Sequence, residues 1–223
     1  TEKKTAPKEK WLTLLAVGLS ILMGTIHMSI VNVALPTLVE RLDTSFSTIQ
    51  WVVLGYVLIV TSLMLSAARL GDMYDKKKLY ALGLTIFTIG SFLCGLSVNV
   101  YWLIAFRVIQ GTGGVFLQAL GMALVVEVFP SSERGRALGL TGSIVSIGLA
   151  SGPALGGIIL DSFGWSWIFW INIPIGAIAL TTLTLFAPSA PPRKRDQAFD
   201  ISGALILLVV LGCYALAMTK GQH

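Results

Sequence analysis

Seven long apolar stretches, separated by short polar segments, account for nearly the whole chain. A helix needs roughly 20 apolar residues to cross the ~30 Å hydrocarbon core of a bilayer, and each stretch is about that long. Because a backbone exposed to lipid must satisfy its own hydrogen bonds, each stretch predicts a transmembrane helix. The predicted spans are residues 11–35, 47–68, 79–98, 101–127, 137–160, 166–187 and 200–219.

The composition agrees with a membrane protein. Hydrophobic residues make up 55% of the chain and charged residues 12%, which excludes an ordinary soluble domain. Lysines before the first span are also typical of a signal peptide, but this span is too long, lacks a small-residue cleavage site and is followed by six more. The sequence therefore predicts an all-α membrane protein, with Cys94 and Cys213 inside spans as free thiols.

The basic residues predict the orientation of the chain in the membrane. Thirteen of the sixteen lysines and arginines lie before the first span or in the connections that follow the second, fourth and sixth spans. The positive-inside rule places these segments, and hence the N-terminus, in the cytoplasm of a multi-pass cell-membrane protein. The net charge of +5 then reflects anionic lipid headgroups, and nothing supports a nucleic-acid partner.

A proline-rich basic segment divides the chain. Residues 188–199 form a candidate cytoplasmic linker between a six-helix unit at 1–187 and a seventh helix in 200–223. The odd number of spans and the start at Thr1 lead us to expect an incomplete polypeptide.

Arg107 is the strongest single functional candidate, because it lies about 10 Å inside the fourth span at 1.5 Å per residue. A charge at that depth is costly, so we expect it to face a cavity or a partner. Gln110 lies one turn further along the helix, and Gln118 lies three turns from Arg107 on the same face. The alternative is an arginine that snorkels to the outer headgroups.

His27 and Asn32 interrupt the otherwise apolar first span. The depth of His27 is similar to that of Arg107, so the two side chains are expected to meet across a cavity. Two roles stay open for His27, either in binding protons or substrate, or as a histidine satisfied by hydrogen bonds between helices.

The cytoplasmic connection between the second and third spans is unusually charged, and we interpret it as a gating loop. The lysines alone are also explained as topology-setting charge. An acid at position 72 works against that signal, so Asp72 is expected to have a partner, either an arginine or the N-terminus of another helix. The loop candidates are Arg69, Gly71, Asp72, Lys76 and Lys77.

The fifth span combines helix-breaking residues with a small-residue face. Gly148, Gly152 and Gly156 recur every four residues, so they share one helix face that another backbone can approach closely. Pro153 lacks an amide hydrogen and should bend the helix, and Gly157 adds a further small residue. We interpret this span as a hinge and packing helix.

Four of these segments resemble motifs of the major facilitator superfamily, in the order and places expected. They are ARLGDMYDKKK at 68–78, LIAFRVIQGTGG at 103–114, GLASGPALGG at 148–157 and SIVNVALP at 29–36. Three segments resemble the 14-helix drug/proton antiporters in particular. They are SIVNVALP, WIFWINIPIG at 167–176 and the seventh helix, which begins at DISGALILL. The resemblance covers nearly the whole chain and identifies it as an N-terminal half.

The resemblance implies a six-helix bundle of two inverted three-helix repeats, with substrate bound between two halves that rock alternately. It also implies that the counterpart of Asp72 contacts the opposite half, and that the glycine-faced fifth helix packs against that half. The chain departs from the family at His27, where these antiporters usually carry an acid, and at Ala68, Met73, Asp75 and Ser166.

The function expected is proton-coupled export of hydrophobic or amphipathic small molecules. The expected partners are the lipid bilayer, protons, the small-molecule substrate and a missing C-terminal half. The alternatives are export of a lipid or metabolite, and a truncated scaffold that does not transport. No metal-ligand cluster, nucleotide-binding loop or nucleophile–base pair is visible, so we expect neither an enzyme nor a cofactor.

Overall fold

The computed structural model describes residues 7–189, together with 203, 206, 207, 209–213 and 217. This part of the chain is helical almost throughout and contains no β-strand. Six stretches are long and apolar enough to cross a membrane, which confirms an all-α multi-pass membrane protein. The helices are α1 (Pro7–Arg41), α2 (Phe46–Met73), α3 (Lys76–Gly95), α4 (Val100–Val128), α5 (Arg134–Phe163), α6 (Trp167–Trp170) and α7 (Asn172–Phe186).

Side chains at the helix N-termini explain where three of the helices begin. Ser45 precedes α2, Asp75 precedes α3 and Asn99 precedes α4, and each side-chain oxygen accepts a hydrogen bond from a backbone amide of the first turn. These bonds satisfy donors that have no partner within the helix.

Two prolines act differently on the predicted helix ends. α1 continues past Pro36 to Arg41, whereas the prediction ended this span at residue 35, because the proline removes only one donor from the ladder. The sixth span was predicted as one helix over 166–187, and the structure divides it into α6 and α7 with a turn at Ile171. Pro174 lies in the first turn of α7, where a missing amide hydrogen is tolerated, and it leaves the carbonyl of Trp170 without its helical donor.

The helices pack in a pattern that repeats once within the bundle. α1 packs against α5 and α7, and α4 packs against α2 and α3. If α1, α2 and α3 are matched with α4, α5 and α7, the α1–α5 pair corresponds to the α4–α2 pair. The α1–α7 pair then corresponds to the α4–α3 pair. The packing therefore follows the two three-helix repeats that the resemblance implies.

The buried apolar side chains form two separate clusters. One contains Leu14, Phe87 and Phe129, and the other contains Leu38, Leu103 and Phe169. Along α1 and α4, the boundary between the clusters falls at His27 and Arg107.

The predicted linker at 188–199 and the seventh span at 200–219 lie largely outside the described residues, although those described at 209–213 are helical.

Candidate functional site

Five buried polar side chains meet between the two apolar clusters, and we call them the Arg107 cluster. They come from α1, α3, α4 and α7, and four of the five have no exposed surface. Buried polar groups at this depth of a membrane protein are costly unless they are paired, which makes the cluster the candidate functional site. Its members are His27, Ser91, Arg107, Gln110 and Asn172.

Glycines on two adjacent helices bring part of the cluster together. A Cβ atom at Gly90 of α3 would lie 2.7 Å from the Cα of Gln110, and one at Gly113 of α4 would collide with the backbone of Phe87. The α3 and α4 backbones are therefore close at both points, as small residues permit between membrane helices. This approach leaves Ser91 Oγ 2.6 Å from Gln110 Nε2.

Arg107 uses its guanidinium group to join three helices. Its Nε donates to the carbonyl of Val52 on α2 at 2.8 Å, and its Nη1 donates to Gln110 Oε1 at 2.7 Å and contacts Nε2 of His27. The guanidinium carbon lies 4.3 Å from the ring centre of Tyr56, within the range of a cation–π interaction.

The charge of Arg107 has no acidic partner within the described residues. The ion pairs found there join Lys10 to Glu133 and Lys76 to Glu127, both away from the cluster. The Nη2 group of Arg107 is buried without a hydrogen-bond partner. A buried ion held only by neutral groups contributes little to stability, so its retention points to a role other than holding the fold together.

The partners of His27 define its tautomer. Arginine only donates hydrogen bonds, so Nε2 of His27 must accept from Arg107, and a neutral imidazole then carries its proton on Nδ1. Nδ1 lies 3.1 Å from the side-chain amide of Asn172. With Nδ1 as the donor, we assign the Asn172 oxygen to this position, which reverses the amide as placed in the structure, where its nitrogen faces both His27 and Ser91.

With this assignment the five side chains form a closed ring of hydrogen bonds. Arg107 donates to Gln110, Gln110 donates to Ser91, and the Ser91 hydroxyl is 3.3 Å from the amide of Asn172. The Asn172 oxygen then accepts from both Ser91 and His27, and His27 accepts from Arg107. A second proton on His27 would remove the acceptor that Arg107 needs, so protonation of His27 requires this contact to break.

The structure brings His27, Arg107 and Gln110 together, as their depth and spacing predicted. It shows that the snorkelling alternative for Arg107 is wrong, because the guanidinium is buried against other helices. The cavity expected between His27 and Arg107 is also absent here, since the two side chains touch and have no exposed surface.

Two other predicted pathway residues lie outside the cluster. Asn32 is exposed, and its side chain donates to the carbonyl of Met28 within α1 at 2.9 Å. Gln118 is also exposed, and it forms no hydrogen bond with a member of the Arg107 cluster.

The predicted gating loop separates into tethered and free residues. Lys76 pairs with Glu127 of α4 at 3.6 Å, and Lys77 donates to the carbonyl of Thr184 at the end of α7 at 3.0 Å. Arg69 and Asp72 are exposed and form no hydrogen bond or ion pair within the described residues. The partner expected for Asp72 is thus not found in this part of the chain.

Two further loop positions have structural roles. A Cβ atom on Gly71 would collide with the side chain of Leu120, so this glycine permits close packing of α2 on α4. Asp75, where the family commonly has glycine, caps α3 by accepting from the amide of Lys77 at 2.9 Å. It therefore serves the helix terminus, which favours a carboxylate.

The glycine face of α5 packs within this bundle, so the prediction that it meets the other half is wrong. Cβ atoms at Gly148 and Gly152 would collide with Thr25 and Ser29 of α1, and one at Gly156 would lie 3.4 Å from Ile30. A small-residue face shows that a backbone approaches closely but does not identify which one. On the other side of α5, Pro153 is exposed and a Cβ atom at Gly157 would meet nothing within 4 Å.

Sequence reasoning did not identify Ser91 and Asn172 as site residues. Asn172 is an amide within the apolar segment WIFWINIPIG, and that contrast was the signal available for it. The sequence carries no such signal for Ser91, because a serine that bonds to another helix cannot be told there from one that bonds only to its own helix.

Comparison with known proteins gives the family. The model of the Major Facilitator Superfamily matches residues 17–219. The riboflavin transporter RibZ of Clostridioides difficile (strain 630) is 44% identical to this chain, over 96% of the chain and 47% of the relative. The multidrug resistance protein 3 of Bacillus subtilis (strain 168) is 36% identical, over 99% of the chain and 42% of the relative.

A solved structure supports the fold. A bacterial homologue of the human lysosomal transporter Spinster, in an inward-facing and unoccupied conformation, matches with a TM-score of 0.64 at 19% identity. The match covers 85% of this chain and 45% of that one. The chain thus spans about half the length of the relatives that it matches, and it belongs to the Major Facilitator Superfamily.

Proposed function

We propose that the chain forms the N-terminal half of a secondary active transporter that exports hydrophobic or amphipathic small molecules. The observation that carries the proposal is a fully buried arginine, Arg107, that has no acidic partner among the described residues. Such a charge is expensive in a membrane and is expected where a transported ion or molecule uses it. Relatives whose names include multidrug resistance support the substrate class.

Proton coupling is proposed from the ring of hydrogen bonds. His27 accepts from Arg107 only while its Nε2 is unprotonated, so a proton from one side of the membrane would compete directly with Arg107. Binding of that proton would release the guanidinium from α1 and allow the helices to rearrange. Replacement of the Arg107 guanidinium by a proton at His27 Nε2 would thus link proton binding to helix movement, as alternating access requires.

The charge of the site favours neutral or anionic substrates over cations. Within the described residues, Arg107 is the one charged side chain in the middle of a span, and its Nη2 group is a free donor. A cationic compound near it would meet like charge in a low-dielectric surrounding. An acceptor-bearing or acidic group would instead offer Nη2 a partner.

A flavin is the second candidate substrate class. It is favoured by the relative named as a riboflavin transporter, which is 44% identical to this chain over 96% of its length. A lipid or another metabolite, and a membrane scaffold without transport, are the remaining alternatives.

The test is transport by the full-length protein in vesicles across an imposed pH gradient. The panel includes neutral, anionic and cationic amphipathic compounds, riboflavin and a lipid analogue. We expect gradient-driven movement of neutral or anionic amphipathic compounds that stops when an ionophore collapses the gradient. Movement that ignores the gradient would exclude proton coupling, and no movement of any compound would favour the scaffold.

A further inference from the structure

One hydrogen bond is missing from the backbone of α5. Pro153 has no amide hydrogen, and in a regular helix residue 153 would donate to the carbonyl four residues earlier, which belongs to Leu149. In a membrane an unpaired carbonyl is strongly unfavourable unless another group donates to it. The Leu149 carbonyl therefore needs a donor from outside its own ladder.

Ser29 of α1 supplies that donor. Its Oγ donates to the Leu149 carbonyl at 3.3 Å. Among the described serine and threonine hydroxyls that donate to backbone carbonyls, this is the one bond that crosses to another helix. The others donate to a carbonyl three or four residues earlier in the chain, as Ser20 and Ser146 do within their own helices.

The packing around this bond holds the Ser29 hydroxyl against the backbone of α5. A Cβ atom at Gly152 would lie 2.5 Å from Ser29 Oγ, so any side chain there would displace it. One turn earlier, Thr25 faces Gly148 in the same way, yet its hydroxyl donates to the carbonyl of Ile21 at 2.9 Å. The two places differ in that only the carbonyl beside Ser29 has lost its amide partner.

We propose that Ser29 is the positioning residue of α5, because its hydroxyl replaces the donor that Pro153 removes. The bond joins α1 and α5 at the point where α5 is free to bend, and fixes their relative placement there. This goes beyond the proposed function, since it concerns how the two helices are held and does not depend on what is transported.

The test is a double-mutant cycle on folding of the full-length protein. Ser29→Ala should lower the folding equilibrium constant about threefold, the typical effect of one side-chain hydrogen bond between membrane helices. In Pro153→Ala, residue 153 regains its N–H and pairs with Leu149, so Ser29→Ala should then have no effect. Equal losses in both backgrounds, or no loss in the first, would overturn the proposal.

Thr25→Val is the matched control, because it removes a hydroxyl from the same face that bonds its own helix. Its effect should be the same with and without Pro153. Ser29→Thr keeps the hydroxyl and should keep wild-type stability, which preserves the test if Pro153→Ala does not fold. A loss in Ser29→Thr equal to that in Ser29→Ala would overturn the proposal. The cycle measures folding, so it can be read whether or not the protein transports.

Discussion

Nε2 of His27 contacts Nη1 of Arg107 inside the helical bundle, and within the described residues neither side chain pairs with a carboxylate. The antiporters that this chain resembles usually have an acid in the first helix, where it can form an ion pair with the arginine. Histidine offers only one neutral acceptor, and loses it on protonation. The contact is thus weaker than an ion pair, and protonation of His27 would remove its acceptor.

Two substitutions of His27 separate its two possible roles. His27→Ala in the full-length protein should abolish proton-driven efflux while sparing substrate binding, because no group is left for which a proton and Arg107 compete. His27→Gln offers an amide oxygen that accepts from Arg107 but does not titrate, and it should abolish proton-driven efflux as well. Efflux across a pH gradient and binding at equilibrium are the measurements.

The glutamine variant decides between the alternatives left open by the sequence. Wild-type efflux in His27→Gln, with loss in His27→Ala, would mean that His27 serves only as a hydrogen-bond acceptor between helices. Unchanged pH-dependent transport in both variants would remove His27 from the mechanism.

Substitution of Arg107 should abolish transport without preventing membrane insertion. Arg107→Ala removes the group that joins the carbonyl of Val52, Gln110 and His27. Arg107→Lys keeps the charge, but a single ammonium cannot reproduce the planar fork, so we expect it to fail as well. Thr112→Ala on the same helix, whose hydroxyl bonds its own helix, is the control. Transport rates and the amount of inserted protein are compared, and wild-type transport by Arg107→Ala would contradict the assignment.

Close approach of α3 and α4 predicts a large difference between two glycine substitutions. Gly113→Ala should destabilise the protein by about 1–3 kcal/mol, because its methyl group would collide with the backbone of Phe87, which cannot move freely. Gly139→Ala on α5 meets nothing within 4 Å and should be neutral or stabilising by up to about 1 kcal/mol. Unfolding in detergent gives both values. Equal effects would show that α3 and α4 are not in close contact.

The spans and the similar depth of His27 and Arg107 could be predicted because both depend only on position along a helix. Hydropathy defines a span, and a rise of 1.5 Å per residue gives the depth of a side chain. The burial of the pair could not be predicted, because depth along the axis does not tell whether a side chain faces a cavity or a neighbouring helix.

The helix that packs against the α5 glycines could not be predicted from the sequence, for a related reason. Gly148, Gly152 and Gly156 lie on one face, but α1 and the opposite half are equally acceptable neighbours of such a face. Asn172 was missed because its role depends on Ser91 and His27, which are distant in sequence. Contacts of this kind require the three-dimensional arrangement.

Thiol labelling tests the proposed orientation. Tyr74 lies between α2 and α3, and Val98 lies between α3 and α4, and both are exposed. In a background without Cys213, an impermeant thiol reagent added outside intact cells should label Val98→Cys and not Tyr74→Cys. Cys94 is buried and should not react. The reverse pattern would place the N-terminus outside.

Two acids of the same loop should respond differently to removal of their charge. Asp72 is exposed without a partner in the described residues, and we propose that it contacts the opposite half of the transporter. Asp72→Asn should therefore lower the transport rate with little change in unfolding of the bundle. Asp75 caps α3 by accepting from the amide of Lys77, and asparagine caps equally well, so Asp75→Asn should leave both properties unchanged.

Asp75→Ala removes the cap and should cost about 1 kcal/mol of stability. Transport rate and unfolding measured on all three variants distinguish a contact between halves from a local cap. If Asp72→Asn transports at the wild-type rate, the contact with the opposite half is ruled out, because loss of the Asp72 charge then has no functional consequence. If Asp75→Asn also loses transport, the charge of Asp75 contributes to the gate in addition to the cap.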